Sequence, residues 1–261
     1  MIRAGLLLAG ALLVAAPAAA QDQQARAETF EQLPYWPGYW VGSAAAGTPI
    51  SGILVRVEGE TLLPPPGDSV AIWANNAPWN EEGRRRVAAA MAAQGGRKGL
   101  GWGYPLMMNA ATPVQFLITP EEVLITNAYN ETRHIYTDGR DHPPLEDLWP
   151  AVTGNSIGRW EGNVLVVDTI MVTNPNEFFQ GGPPLSEEAH YVERIWLEGG
   201  KLYDEFTITD PVTLSGPWVA KLVLVRDEAF DRMIQVDWNN DRTGTEGDVN
   251  TIEPPADERG E

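Results

Sequence analysis

Residues 190–209 read HYVERIWLEGGKLYDEFTIT. Two runs that alternate polar with aromatic or β-branched residues flank Gly199-Gly200, the pattern of a β-hairpin closed by a two-residue turn. Such a turn pairs Leu197 with Leu202, Ile195 with Asp204, Glu193 with Phe206 and Tyr191 with Ile208 on one face. The opposite face pairs Trp196 with Tyr203, Arg194 with Glu205, Val192 with Thr207 and His190 with Thr209. The first face holds six apolar or aromatic residues and two carboxylates, which are diagonal neighbours roughly 7–8 Å apart. If that face is the core, Glu193 and Asp204 line a pocket and each needs a partner or a proton, because a bare desolvated charge is costly. If the Trp196/Tyr203 face is the core, both carboxylates look to solvent. At the level of sequence both readings stand.

The same pattern recurs on either side. VQFLI and VLITN flank TPEE, RHIYT follows, SIGRW and VLVVDTIMV flank EGN, and VAKLVLV and MIQVDW end the series; upstream, GILVRVEG also reads as a strand. Short strands parted by Gly, Pro and Asp turns, in a chain with 26 glycines and 21 prolines, predict an all-β fold. The expected arrangement is an antiparallel meander forming a barrel-like (calycin-like) or sandwich core. One helix is expected over residues 80–94, where Asn80 caps, acids open and Gly-Gly closes; its three arginines read as a solvated face. The layout is then a signal peptide at 1–20, a flexible lead-in at 21–34, a single β domain at 35–238 and an acidic disordered tail at 239–261.

Arg3, the apolar run GLLLAGALLVAA and the small residues before Gln21 make the signal-peptide reading, and with it a periplasmic or secreted location. Removing that segment takes one of 18 basic residues and none of 36 acidic ones, so the mature charge is 17 − 36 = −19. So acidic a surface disfavours nucleic acid and anionic membrane as partners. No later stretch is long and apolar enough to predict membrane insertion after signal removal. With no cysteine, stability rests on a core rather than on disulfides, and thiol chemistry is excluded. The sequence leaves the oligomeric state open.

Titratable groups concentrate in RHIYTDGRDHP, residues 133–143. IYT is strand-like and DGR is a turn signal, so His134 and Tyr136 share a strand face while Asp138, Arg140 and His142 fall on a loop. Such a loop suits ligand contact, and histidine suits proton transfer near neutral pH. The plainer reading is a turn in which Asp138 bonds its own backbone and Arg140 pairs with an acid. His134, His142 and His190 have no diagnostic metal-ligand spacing, so neither a metal nor an organic cofactor is expected. No nucleophile elbow, phosphate loop or dinucleotide fingerprint is present.

RHIYTDGRDHP, GNSIGRWEGNVLVVDT and HYVERIWLEGGKLYDEFTITDPVTLSGPW, in this order over residues 104–240, resemble a large family of exported bacterial β-rich proteins, most of them uncharacterised. The resemblance marks Asp138, Gly139, Arg140 and His142; Ser156, Gly158, Trp160, Glu161, Asp168 and Thr169; and Glu193, Arg194, Asp210, Pro211 and Trp218. Where that family usually has Gly-His-Ser, this chain has Gly154-Asn155-Ser156, and if that histidine is a general base or a metal ligand, Asn155 can be neither. The resemblance implies where a site lies and lends no activity.

These readings lead to an expected enzyme doing metal-independent acid/base chemistry, as a lyase, isomerase or hydrolase, on a small, partly apolar, aromatic or glycosidic molecule in a β-lined pocket. His142 is the expected proton shuttle, Asp138 its orienting group, and Glu193 or Asp204 the second acid/base group of raised pKa. Arg140 or Arg194 would hold an oxyanion, with Tyr136, His190 and Trp160 completing the substrate contacts. In this picture the histidine loop caps the cavity that the carboxylates line. The alternatives are a periplasmic, lipocalin-like binding protein for an apolar ligand without turnover, and an interaction module for a cell-envelope partner.

Overall fold

The computed structural model describes residues 28–42, 56–58, 61–63, 77–92, 102–109, 113–173, 183–228, 230–233, 243–244 and 251–252. Met1–Leu33 and Pro34–Glu261 are separate compact units. In the first, residues 28–32 are helical. The expected signal peptide and the strand expected at 234–238 lie outside the described residues.

In the second unit nine strands close into a barrel, which settles the choice between barrel and sandwich. They are β1 (Trp40–Gly42), β4 (Val114–Ile118), β5 (Glu122–Asn127), β6 (Thr132–Tyr136), β7 (Asn155–Glu161), β8 (Val164–Ile170), β9 (His190–Glu198), β10 (Lys201–Thr209) and β11 (Trp218–Arg226). Around the wall the order is β1-β11-β10-β9-β8-β7-β6-β5-β4, and Trp40 closes the ring by pairing with Val114. Two short pairs stand apart: β2 (Arg56–Glu58) with β3 (Thr61–Leu63), and β12 (Thr243–Gly244) with β13 (Thr251–Ile252) inside the acidic C-terminal stretch. The meander departs from the antiparallel expectation at one junction, since β6 and β7 run parallel, with Ile135 opposite Ser156. No helix among the described residues is long and apolar enough to cross a membrane.

The β9–β10 hairpin has the register that a Gly199-Gly200 turn dictates, with Leu202 opposite Leu197, Asp204 opposite Ile195 and Phe206 opposite Glu193. Both glycines have positive φ, 57° and 78°, as a type I′ turn requires. The open question of which face is the core is decided for the face that carries the acids: Tyr191, Glu193, Ile195, Leu202, Asp204, Phe206 and Ile208 are all buried. Trp196 and Tyr203 stack on the outer wall instead, with Lys221 above both rings.

Each end of the barrel is closed by aromatic packing. At one end Trp36 meets Phe116 and Trp160 edge-on. At the other, the buried segment Trp102–Met108 enters, with Tyr104 against Tyr191 and Phe206. Glu131 fastens that segment by accepting bonds from the Gly103 amide and the Asn127 side chain, both at 2.6 Å.

Helix α1 (Glu81–Ala92) falls within the expected 80–94 span. The Gly83 amide donates to Asn80 Oδ1 at 2.9 Å, while Asn80 Nδ2 donates to Val212 O at 3.0 Å, so one side chain both caps the helix and docks it on the β10–β11 loop. Arg85 and Arg86 pair with Glu82 on the helix surface, as the solvated-face reading expects. Replacing Asn80 with Ala should lower stability by about 1 kcal/mol, read as a reduced urea midpoint at unchanged slope; a midpoint equal to wild type would show that the cap contributes nothing.

Candidate functional site

Strand alternation sends Arg133 and Ile135 to the same inner face of β6, so the barrel interior receives a guanidinium as well as two carboxylates. Arg133 is fully buried. Its Nη1 donates to Glu193 Oε1 at 2.9 Å, Nη2 donates to Glu193 Oε2 and, at 2.8 Å, to Thr169 Oγ1, and Nε donates to Ser156 Oγ at 3.2 Å. Ser156 and Thr169 bond each other at 2.8 Å. The Tyr104 ring covers the guanidinium at 4.0 Å. Burial is the largest single influence and works against the Arg133 charge, but the acidic groups around it, Glu193 foremost, together outweigh burial and hold the cation.

Asp204 is the odd member. Both of its oxygens are buried without a hydrogen-bond partner among the described residues. Arg133 is committed to Glu193, Thr169 and Ser156, and offers Asp204 attraction only through space. Burial first and the Glu193 charge second push Asp204 well above the ordinary carboxylate range, with Arg133 opposing. This is the raised acid that the sequence reading expected of Glu193 or Asp204.

His142 does not meet either carboxylate. The expectation that its loop caps their cavity is overturned, because His142 stands on the outer wall and the acids point inward. Its ring contacts Asn155 Oδ1 through Nδ1 at 2.6 Å and Asp168 Oδ1 through Nε2 at 3.1 Å. His190 Nε2 reaches the same Asp168 oxygen at 2.7 Å. The three side chains are 17 % (His142), 35 % (Asp168) and 43 % (His190) exposed. A half-turn of the Asn155 amide offers the ring a donor in place of the acceptor, so Asn155 can satisfy either tautomer of His142.

The remaining expected site residues separate from this cluster. Asp138 does not orient His142; it accepts from Arg140 Nε and Nη2, at 2.9 and 2.5 Å, and that guanidinium holds its carboxyl below the usual range. Arg140 in turn lies 4.1 Å above the Tyr136 ring. Both are thus tied in a surface turn, the plainer of the two readings. Arg194 donates to Glu161 Oε2 at 3.0 Å on the outer wall. Trp160 points inward and packs against the core beside Trp36. Of the nine expected residues, His142 and His190 converge on Asp168, Glu193 and Asp204 share a second, sealed cluster, and Asp138, Arg140 and Tyr136 form a third on the surface.

Sequence reasoning passed over Arg133, and marked Asp168 through the family resemblance alone, with no role. Arg133 alternates in phase with Ile135, which is a signal for an inward cation once Glu193 and Asp204 are placed inside. Asp168 follows four apolar residues of its strand. Asn155, set aside because it cannot act as a base, is nonetheless a partner of His142. No group of three or more His, Cys, Asp or Glu among the described residues is arranged to hold a metal ion. No protein-family model, curated protein or solved structure matches the chain.

Two measurements check the inner cluster. Arg133→Met leaves Glu193 charged and unpaired and should cost about 3–5 kcal/mol, while adding Glu193→Met should recover much of that loss; a double variant no more stable than the single one would remove the pairing argument. Asp204 has a folded-state pKa above its unfolded one. The unfolded chain releases the proton first, so this residue's contribution falls as pH rises from about 4 towards the folded-state pKa, and is restored only in acid. Asp204→Asn should therefore be more stable than wild type by a margin that grows with pH in urea titrations, and a margin independent of pH would mean that Asp204 is ionised inside the barrel.

Proposed function

We propose that the chain is an exported enzyme performing metal-independent acid/base chemistry on a small, partly apolar molecule, with His190 as the proton-transfer group. The observation that carries this reading is His190 Nε2 at 2.7 Å from Asp168 Oδ1 on a ring that is 43 % exposed. A carboxylate that accepts Nε2–H leaves the lone pair on Nδ1, and a half-exposed ring can present that atom to a bound molecule. His142 is the poorer shuttle, because both of its ring nitrogens are engaged. Its role in the proposal is to hold Asp168 from the other side. Relative to the sequence reading, His190 takes the proton-transfer part from His142, Asp168 replaces Asp138 as the orienting carboxylate, and Glu193 and Asp204 leave the reaction.

The substrate class draws support from the loop that carries His142. Residues 137–154 expose Leu145, Trp149 and Val152 to solvent, and an exposed indole suits contact with an aromatic or glycosidic ring. A lyase, isomerase or hydrolase is compatible with a base of this kind. The alternative, a lipocalin-like carrier, calls for an uncharged apolar interior, whereas here Arg133, Glu193 and Asp204 are buried among the apolar side chains; that favours the enzyme.

The test uses 4-nitrophenyl esters and 4-nitrophenyl glycosides as probes. Turnover above buffer by wild type, falling roughly 10²–10⁴-fold in His190→Gln, is the expected result. Equal turnover in the variant would remove His190 from the chemistry. A wild type inert across the probes that binds an apolar dye such as anilinonaphthalene sulfonate would transfer support to the carrier.

A further inference from the structure

The inner and outer clusters lie back to back. On β7, Asn155 points out to His142 while its neighbour Ser156 points in to Arg133. On β8, Asp168 points out to both histidines while its neighbour Thr169 points in to Arg133. Ser156 and Thr169 face each other across the ladder, and Asn155 and Asp168 flank that pair on the outside. One guanidinium on β6 therefore holds β7 and β8 at the level from which the histidine cluster projects, and Glu193 extends the tie to β9, the strand that begins with His190.

We infer that Arg133 and Thr169 are positioning residues for the Asp168–His190 pair, fixing through the wall the angle at which Asp168 meets the imidazole. This rests on the reading of His190 as the proton-transfer group, but its geometric content is separable. Backbone atoms of adjacent residues move as a unit, and the Thr169 hydroxyl is fixed twice, by Arg133 Nη2 and by Ser156 Oγ, both at 2.8 Å. Losing those bonds frees β8 to twist at Asp168, whose own outer partners are only partly buried and are less constraining.

The experiment compares Thr169→Val, Thr169→Ser and Ser156→Ala with wild type at one fixed pH. Two readouts follow His190: its ring ¹⁵N shifts, which report which nitrogen carries the proton, and its rate of ethoxyformylation by diethyl pyrocarbonate, measured by mass spectrometry. Thr169→Val should change that rate roughly two- to thirtyfold, the range of coupling through contiguous hydrogen-bonded networks, and shift the ring nitrogens. Thr169→Ser, which keeps the hydroxyl, should restore wild-type values. Leu202→Ala, a core truncation at the far hairpin tip, should lower the melting temperature without altering either readout. Should Thr169→Val fail to fold, Ser156→Ala carries the same expectation. Unchanged His190 shifts and rate in folded Thr169→Val and Ser156→Ala would overturn the inference. Coupled shifts in a protein that turns over none of the nitrophenyl probes would leave the positioning intact and count against the enzyme reading alone.

Discussion

The barrel is organised around one buried cation. A guanidinium at the centre of a closed sheet needs a counter-charge and hydrogen-bond partners, because burial takes it out of bulk water. Arg133 obtains the counter-charge from Glu193 and donates four hydrogen bonds to Glu193, Ser156 and Thr169, residues of three other strands. The register of β6 through β9 is thereby tied to a single side chain. A slip of one residue in any of these strands would move its polar atom to the outer face and leave the cation short of a partner.

The same alternation explains why the outer wall carries a constellation of its own. A strand that must present Thr169 inward has its preceding residue facing outward, and in this chain that residue is Asp168. Two histidines from different parts of the sequence, one on a loop and one at the start of β9, then share one carboxylate oxygen. The half-exposed histidine has a nitrogen to offer and the more enclosed one does not.

Much of the hairpin was legible from sequence because Gly199-Gly200 suit a two-residue turn and such a turn sets one register. A three-residue loop would have shifted every partner; the positive φ of both glycines and the observed pairing show the two-residue turn. Which face of it is the core was not legible, since that depends on where Arg133 stands, and no local pattern links residue 133 to residue 193. The histidine loop was legible as a cluster but not as a contact. Asp138 and Arg140 are two residues apart and satisfy each other, which left His142 to seek a partner 26 positions away. The parallel β6–β7 junction had no sequence signal at all, because periodicity shows that a segment is a strand and is silent about its direction.

That junction is a matter of parity. Strands that alternate up and down around a closed ring must be even in number, as the last must run opposite to the first. Nine strands form this ring, so at least one neighbouring pair must point the same way, wherever it falls. Here it falls between β6 and β7, consecutive in the chain, and a parallel step between consecutive strands forces the polypeptide to travel back along the whole height of the barrel before it can re-enter. Residues 137–154 make that return, and they carry His142, Leu145 and Trp149 along the outside of the wall. The loop that furnishes the candidate site thus owes its length to a counting rule: adding or deleting one strand would make the ring even, remove the need for the return, and with it the surface on which two histidines find one aspartate.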